Sequence, residues 1–159
     1  MDRIVMLYLC VKWLHILSST VLFGTGIGTA FFMLMANLSK DIRAIAFATR
    51  TVVIADWGFT TPAVIFQPLS GLMLMHMTGT TFEAGWLAAA IALYVFAGVC
   101  WLPVVWMQIR MKRMAAEALA TGGELPPAYW QMNVWWITLG SMAFPAVVAI
   151  FWLMVTKPA

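Results

Sequence analysis

Two histidines lie inside long apolar sequence: His15 in Lys12-Trp13-Leu14-His15-Ile16, and His76 in Met73-Leu74-Met75-His76-Met77. An imidazole in hydrocarbon is costly unless it is hydrogen-bonded, paired or bound to a metal. Its neutral nitrogen is also a standard ligand for haem iron and for copper. Lys12 is three residues from His15, so both share a helix face that Ser18 and Ser19 continue. That face reads either as a ligand-binding stripe, with Lys12 pairing a haem propionate, or as a snorkelling lysine beside a histidine that bonds a neighbouring helix. Met73 and Met77 flank His76 with soft thioethers suited to Cu(I). The plainer reading of those residues is apolar filling, since the chain holds 13 methionines.

The elements that must hold these residues are membrane helices. The chain is 64% hydrophobic and 9% charged over 159 residues, against roughly 45–50% and about 25% in a soluble domain. Continuous apolar runs at 4–36, 51–77, 85–109 and 131–156 are long enough to span a bilayer and do not alternate as barrel strands would. The expected fold is all-α: one transmembrane domain, an antiparallel up-down four-helix bundle. The first run is read as a retained helix rather than a cleaved signal. No nucleophile triad, phosphate-binding glycine loop or paired carboxylates appear, which argues against ordinary hydrolase chemistry.

Loops 37–50 and 110–130 carry Lys40, Arg43, Arg50, Arg110, Lys112 and Arg113, whereas the opposite side has Arg3, Lys12 and Lys157. This asymmetry places the basic loops in the cytoplasm and both termini outside, in a bacterial inner membrane. The net charge of +3 is explained by these loops, and no nucleic-acid partner is implied. Counted from the first basic loop, His15 is about 22 residues up one helix and His76 about 25 up the next, within roughly one turn of the same depth. That placement suits a haem b between helices, provided that they splay or that only one histidine binds iron.

Other residues read as structural. Cys10 and Cys100 are expected to be buried apolar cysteines. Gly24 and Gly28 form a small-xxx-small pair suited to close helix approach or to a homodimer. Pro62, Pro68, Pro103 and Pro145 loosen the helices, with Gln67 and Ser70 as candidate partners for freed carbonyls. Asp56 is expected to pair with Arg43, Arg50 or Arg110. Gly122-Gly123 and Pro126-Pro127 should end an amphipathic extension running through Arg113 and Glu117. Tyr129, Trp130, Trp135 and Trp136 read as an interfacial cluster.

Lys12-x-x-His15-Ile16 followed by Phe23-Gly24 resembles the first helix of the HemJ family of membrane-bound protoporphyrinogen oxidases. Thr61-Pro62-Ala63 running into Ser70-Gly71-Leu72 is similar to its second helix, and Pro145 through Lys157-Pro158 to its last. Together these cover about half of the chain. The pattern is shared with CopD-type copper proteins and with an uncharacterised family of small predicted integral membrane proteins, where this chain is placed. The resemblance implies haem b with His15 as axial ligand and electron extraction from a membrane-soluble donor. It departs at Gly85-Trp86-Leu87-Ala88-Ala89, where HemJ proteins carry a lysine. Asn133 stands without the glutamate of the HemJ Asn-Glu pair, and the Pro-Arg stretch closing the HemJ first helix is missing.

The resulting expectation is a haem b-binding redox protein, either a small oxidoreductase or an electron-transfer subunit. His15 and His76 are the candidate metal ligands and Lys12 completes the cofactor site. Its partners would be the lipid bilayer, a membrane-soluble electron donor or acceptor, and a second copy or larger membrane complex. The alternatives are a copper-handling protein using His76 with Met73 and Met77, and an accessory subunit without a cofactor.

Overall fold

Four helical stretches are long and apolar enough to cross a membrane: Arg3–Ser39, Ile42–Thr78, Gly85–Thr121 and Pro127–Thr156. The computed structural model describes residues 3–158, and within them every regular element is helical. Helix α1 is Arg3–Ser39. The second stretch is α2 (Ile42–Ala55), a π turn (Asp56–Thr60) and α3 (Thr61–Thr78) in series. Helices α4 (Gly85–Thr121) and α5 (Pro127–Thr156) complete the bundle. Helix α1 packs on α2 and α3, α2 on α4, and α4 on α5.

Both basic segments are more helical than their composition suggests. The expected loop at 37–50 shrinks to Lys40 and Asp41. Lys40 takes a left-handed φ of 58°, and Asp41 Oδ1 accepts the Arg43 backbone N–H at 2.9 Å, capping α2. Within 110–130, α4 runs on through Arg113 and Glu117 to Thr121, the amphipathic extension expected there. Gly122 ends it at φ 67°, and Pro126 and Pro127 start α5. Gly79 closes α3 in the same left-handed conformation, at φ 68°.

Cations are seated on tryptophans at both ends of the bundle, the arrangement that suits a membrane interface. At the basic end Lys40 Nζ lies 3.6 Å from the Trp130 ring centre and Arg110 Cζ 4.7 Å from that of Trp106. At the opposite end Lys157 Nζ lies 5.5 Å from that of Trp86. Trp86 and Trp106 are separated along α4 by about 30 Å of helix rise, the thickness of the hydrocarbon layer.

Packing is concentrated at the basic end. Met33, Ile45, Met111 and Tyr129 are fully buried there, with Val52, Met107 and Trp136 around them. Along α1 from Arg3 to Phe32 the buried residue is Val11 alone, and along α5 beyond Trp136 it is Ala146 alone. In the outer half, α1 meets α5 through Phe23, whose ring stacks on Phe144 and meets Phe151 edge-on, each centre 5.5 Å away. Gly24 and Gly28 do not bring two helices of this chain together, since a Cβ at either would meet nothing within 4 Å. Cys100 is buried as expected, but Cys10 is exposed on the outer face of α1, and both are free. Helix α1 is apolar all round, so it shows no single buried stripe that would have marked that position.

Prolines leave defects that other helices repair. Pro62 lacks an N–H for the Gly58 carbonyl, and the turn just before it widens into the π turn, with the Thr61 N–H reaching Asp56 O. Pro68 similarly leaves the Val64 carbonyl without its helical donor. Tyr94 of α4 supplies one, its hydroxyl donating to Val64 O at 2.5 Å. This role was expected of Gln67 and Ser70, which instead bond other groups. Tyr94→Phe should therefore cost about 1 kcal/mol of stability. In a Pro68→Ala background, where the residue-68 N–H returns, the same substitution should cost close to nothing. Thermal unfolding of the four proteins in detergent measures the difference.

Candidate functional site

Helix α3 presents Ser70, Gln67 and Gly71 to the face of α1 that carries His15. His15 Nδ1 and Ser70 Oγ are 2.7 Å apart, and the Gln67 side-chain amide donates to the His15 carbonyl at 2.9 Å. Gly71 lies under the ring, where a Cβ would sit 3.6 Å from His15 Cε1, an ordinary contact. Ser70 is almost wholly buried and its hydroxyl donates to Phe66 O at 2.7 Å. Ser70 occupies Nδ1 of His15, and Nε2 is the ring nitrogen left for iron, another metal or a proton. One turn deeper on the same face, Ser18 Oγ is buried and has no hydrogen-bond partner.

His76 is not brought to this point. It is exposed, six residues beyond Ser70 on α3, or about 9 Å of helix rise. Lys12 is exposed too, and its Nζ reaches back over the Tyr8 ring at 5.6 Å, away from His15. Met73 is half exposed at the same end as His76. Among the described residues no group of three or more His, Cys, Asp or Glu side chains could hold a metal ion.

Two polar ties at the basic end escaped the sequence reading. Tyr129 donates to Asn37 Oδ1 at 2.6 Å, and Asn37 Nδ2 donates to Asn133 Oδ1 at 2.7 Å. With the Gln108 amide oriented by its neighbours, its nitrogen donates to Asp56 Oδ2 at 2.6 Å and its oxygen accepts from Trp136 Nε1 at 3.2 Å. Asp56 therefore bonds Gln108 rather than an arginine, and Arg110 stacks on Trp106 instead. The π turn explains the change: it turns Asp56 inward to 4% exposure while Trp57 and Phe59 face out. Tyr129 and Trp136 are core residues rather than interfacial ones, because their O–H and N–H find these buried partners. The available signal was an amide side chain at or inside three of the runs: Asn37 just past the first, Gln108 in the third and Asn133 in the fourth. Sequence alone could not show which residues they would meet.

A family model described as predicted integral membrane protein (DUF2269) matches residues 9–158, so the chain belongs to that family. No curated protein and no solved structure matches it.

The Asp56–Gln108 tie predicts a specific pattern of coupling. Gln108→Leu strands a buried carboxylate and should cost about 1–3 kcal/mol. The double variant Asp56→Leu/Gln108→Leu should cost less than the sum of the single changes, since neither polar group remains to be satisfied. A double-mutant cycle read by thermal unfolding in detergent checks this.

Proposed function

From the Ser70 contact that orients His15 within an integral membrane protein, we propose that the protein binds haem b and carries electrons within the membrane. The observation that carries the reading is the His15 ring, engaged at Nδ1 by the buried Ser70 hydroxyl at 2.7 Å so that Nε2 is the nitrogen left for a ligand. An axial histidine is commonly oriented this way, by a hydrogen bond at its other nitrogen. His15 also stands in the less densely packed half of the bundle, where a flat macrocycle between helix pairs displaces little side-chain packing. The likeness of Lys12-x-x-His15-Ile16 to HemJ proteins points the same way.

In this reading His15 is the iron ligand, and Ser70 and Gln67 hold it in place. Lys12, one turn outward, offers a cation to a propionate. His76 stands farther out as a distal group. Bound haem b supplies one-electron transfer at a potential set by its ligand and surroundings. The donor or acceptor is membrane-soluble, and the asymmetry of basic residues supports a location in a bacterial inner membrane with the His15 end outside.

One observation favours a second reading. The Ser70–His15 and Gln67–His15 bonds tie α1 to α3 without any cofactor, as an accessory subunit would need. Visible spectra of the purified protein, oxidised and dithionite-reduced, separate the two. Haem binding predicts a Soret band with a sharpened reduced α-band, abolished in His15→Ala. Ser70→Ala should retain the spectrum but bind haem about 10-fold more weakly. A colourless protein that is merely destabilised by His15→Ala would establish the structural role. Stoichiometric Cu(I) binding lost in His76→Ala would establish copper handling.

A further inference from the structure

At the basic end, a groove of about 550 Å³ runs between α2 and α4. Its α2 wall is Arg43, Ala46, Phe47 and Arg50, and its α4 wall holds Lys112, Ala116 and Leu119. The spacings i, i+3, i+4, i+7 on α2 and i, i+4, i+7 on α4 put each set on one helix face. The walls are therefore continuous stripes of two antiparallel helices. Three of the lining side chains are cations and none is a carboxylate. The acidic residues nearby are directed elsewhere. Asp41 caps α2 through the Arg43 N–H, and Glu117, the one carboxylate on this stretch of α4, does not line the groove.

The depth of the groove identifies its occupant. The Asp56–Gln108 bond sets α2 level with α4. Counting outward from it, Lys112 is four residues and Arg50 six residues along, about 6 and 9 Å. The two cations therefore sit side by side. Trp106, on which Arg110 stacks, marks the interface two residues before Gln108. Arg50 and Lys112 thus open the groove at the level of the lipid headgroups, with Arg43 two turns farther out. Phe47, with 72% of its surface exposed, lies between the arginines and offers an apolar ring at the interface.

We propose that this groove binds the phosphate headgroup of an anionic glycerophospholipid, with Arg50 and Lys112 holding the phosphate and Arg43 reaching it from the outer end. Basic grooves between helices at a membrane surface suit such headgroups, because exposed guanidinium and ammonium donors converge there on phosphate oxygens. Phe47 covers the glycerol side. The site is independent of the haem reading, since it lies at the other end of the bundle from His15.

Native mass spectrometry of the detergent-solubilised full chain tests this, with phosphatidylglycerol, phosphatidylcholine and glycerol 3-phosphate as probes. Phosphatidylglycerol should remain bound and raise the unfolding temperature, while phosphatidylcholine should not. Arg50→Gln and Lys112→Gln should each weaken retention about fivefold. Lys157→Gln, at the opposite end, should leave it unchanged. Phosphatidylcholine held as tightly, or phosphatidylglycerol held equally by Arg50→Gln/Lys112→Gln, would overturn the site. Glycerol 3-phosphate binding as tightly as the lipid would overturn the lipid assignment in favour of a soluble anion. The unfolding temperature of each variant without lipid shows whether a loss of binding is only a loss of fold.

Discussion

Hydrocarbon accepts and donates no hydrogen bonds, so a polar group brought into the bundle is stabilised chiefly by a partner inside the chain. That constraint organises the protein. The Val64 carbonyl, stranded by Pro68, is met by the Tyr94 hydroxyl. The Asp56 carboxylate is met by Gln108, and Asn37 by Tyr129 and Asn133. Each partner comes from a different transmembrane stretch, so each repair is also a cross-link. The defects and polar residues that interrupt these helices are what fix their mutual register.

The same logic separates the two ends of the molecule. At the basic end, polar ties coincide with dense packing of Met33, Ile45, Met111 and Tyr129. At the other end, packing is sparser and the interhelical polar link between α1 and α3 runs through His15, Ser70 and Gln67. A rigid half and a looser half follow from where the buried side chains are. Ligand sites belong in the looser half if they need space between helices, and at the rigid end's surface if they need charge. The haem proposal and the lipid proposal use these two different places.

His15 shows how a structural contact becomes chemically directional. Ser70 of α3 occupies Nδ1 and leaves Nε2 as the nitrogen available to a ligand. A side chain on α3 thus decides which nitrogen on α1 stays open. Nothing in the spacing of Lys12 and His15 contains that information.

The order of the elements was legible in the sequence, because apolar runs of this length have one low-energy environment. The membrane-spanning character follows from the same runs, and Gly122 and Pro127 mark their ends through backbone constraints intrinsic to those residues. The histidines, too, were conspicuous as titratable groups in hydrocarbon. What the tertiary structure alone decided is pairing. Asp56 goes to Gln108 and not to an arginine because a π turn rotates it inward. Tyr129 and Trp136 leave the interface for the core because partners await them there, and His15 meets Ser70 while His76 stands a turn and a half away. Helical periodicity fixes positions along an axis. Which side chains face each other across two axes depends on register and rotation, and those are set by packing between helices distant in the chain.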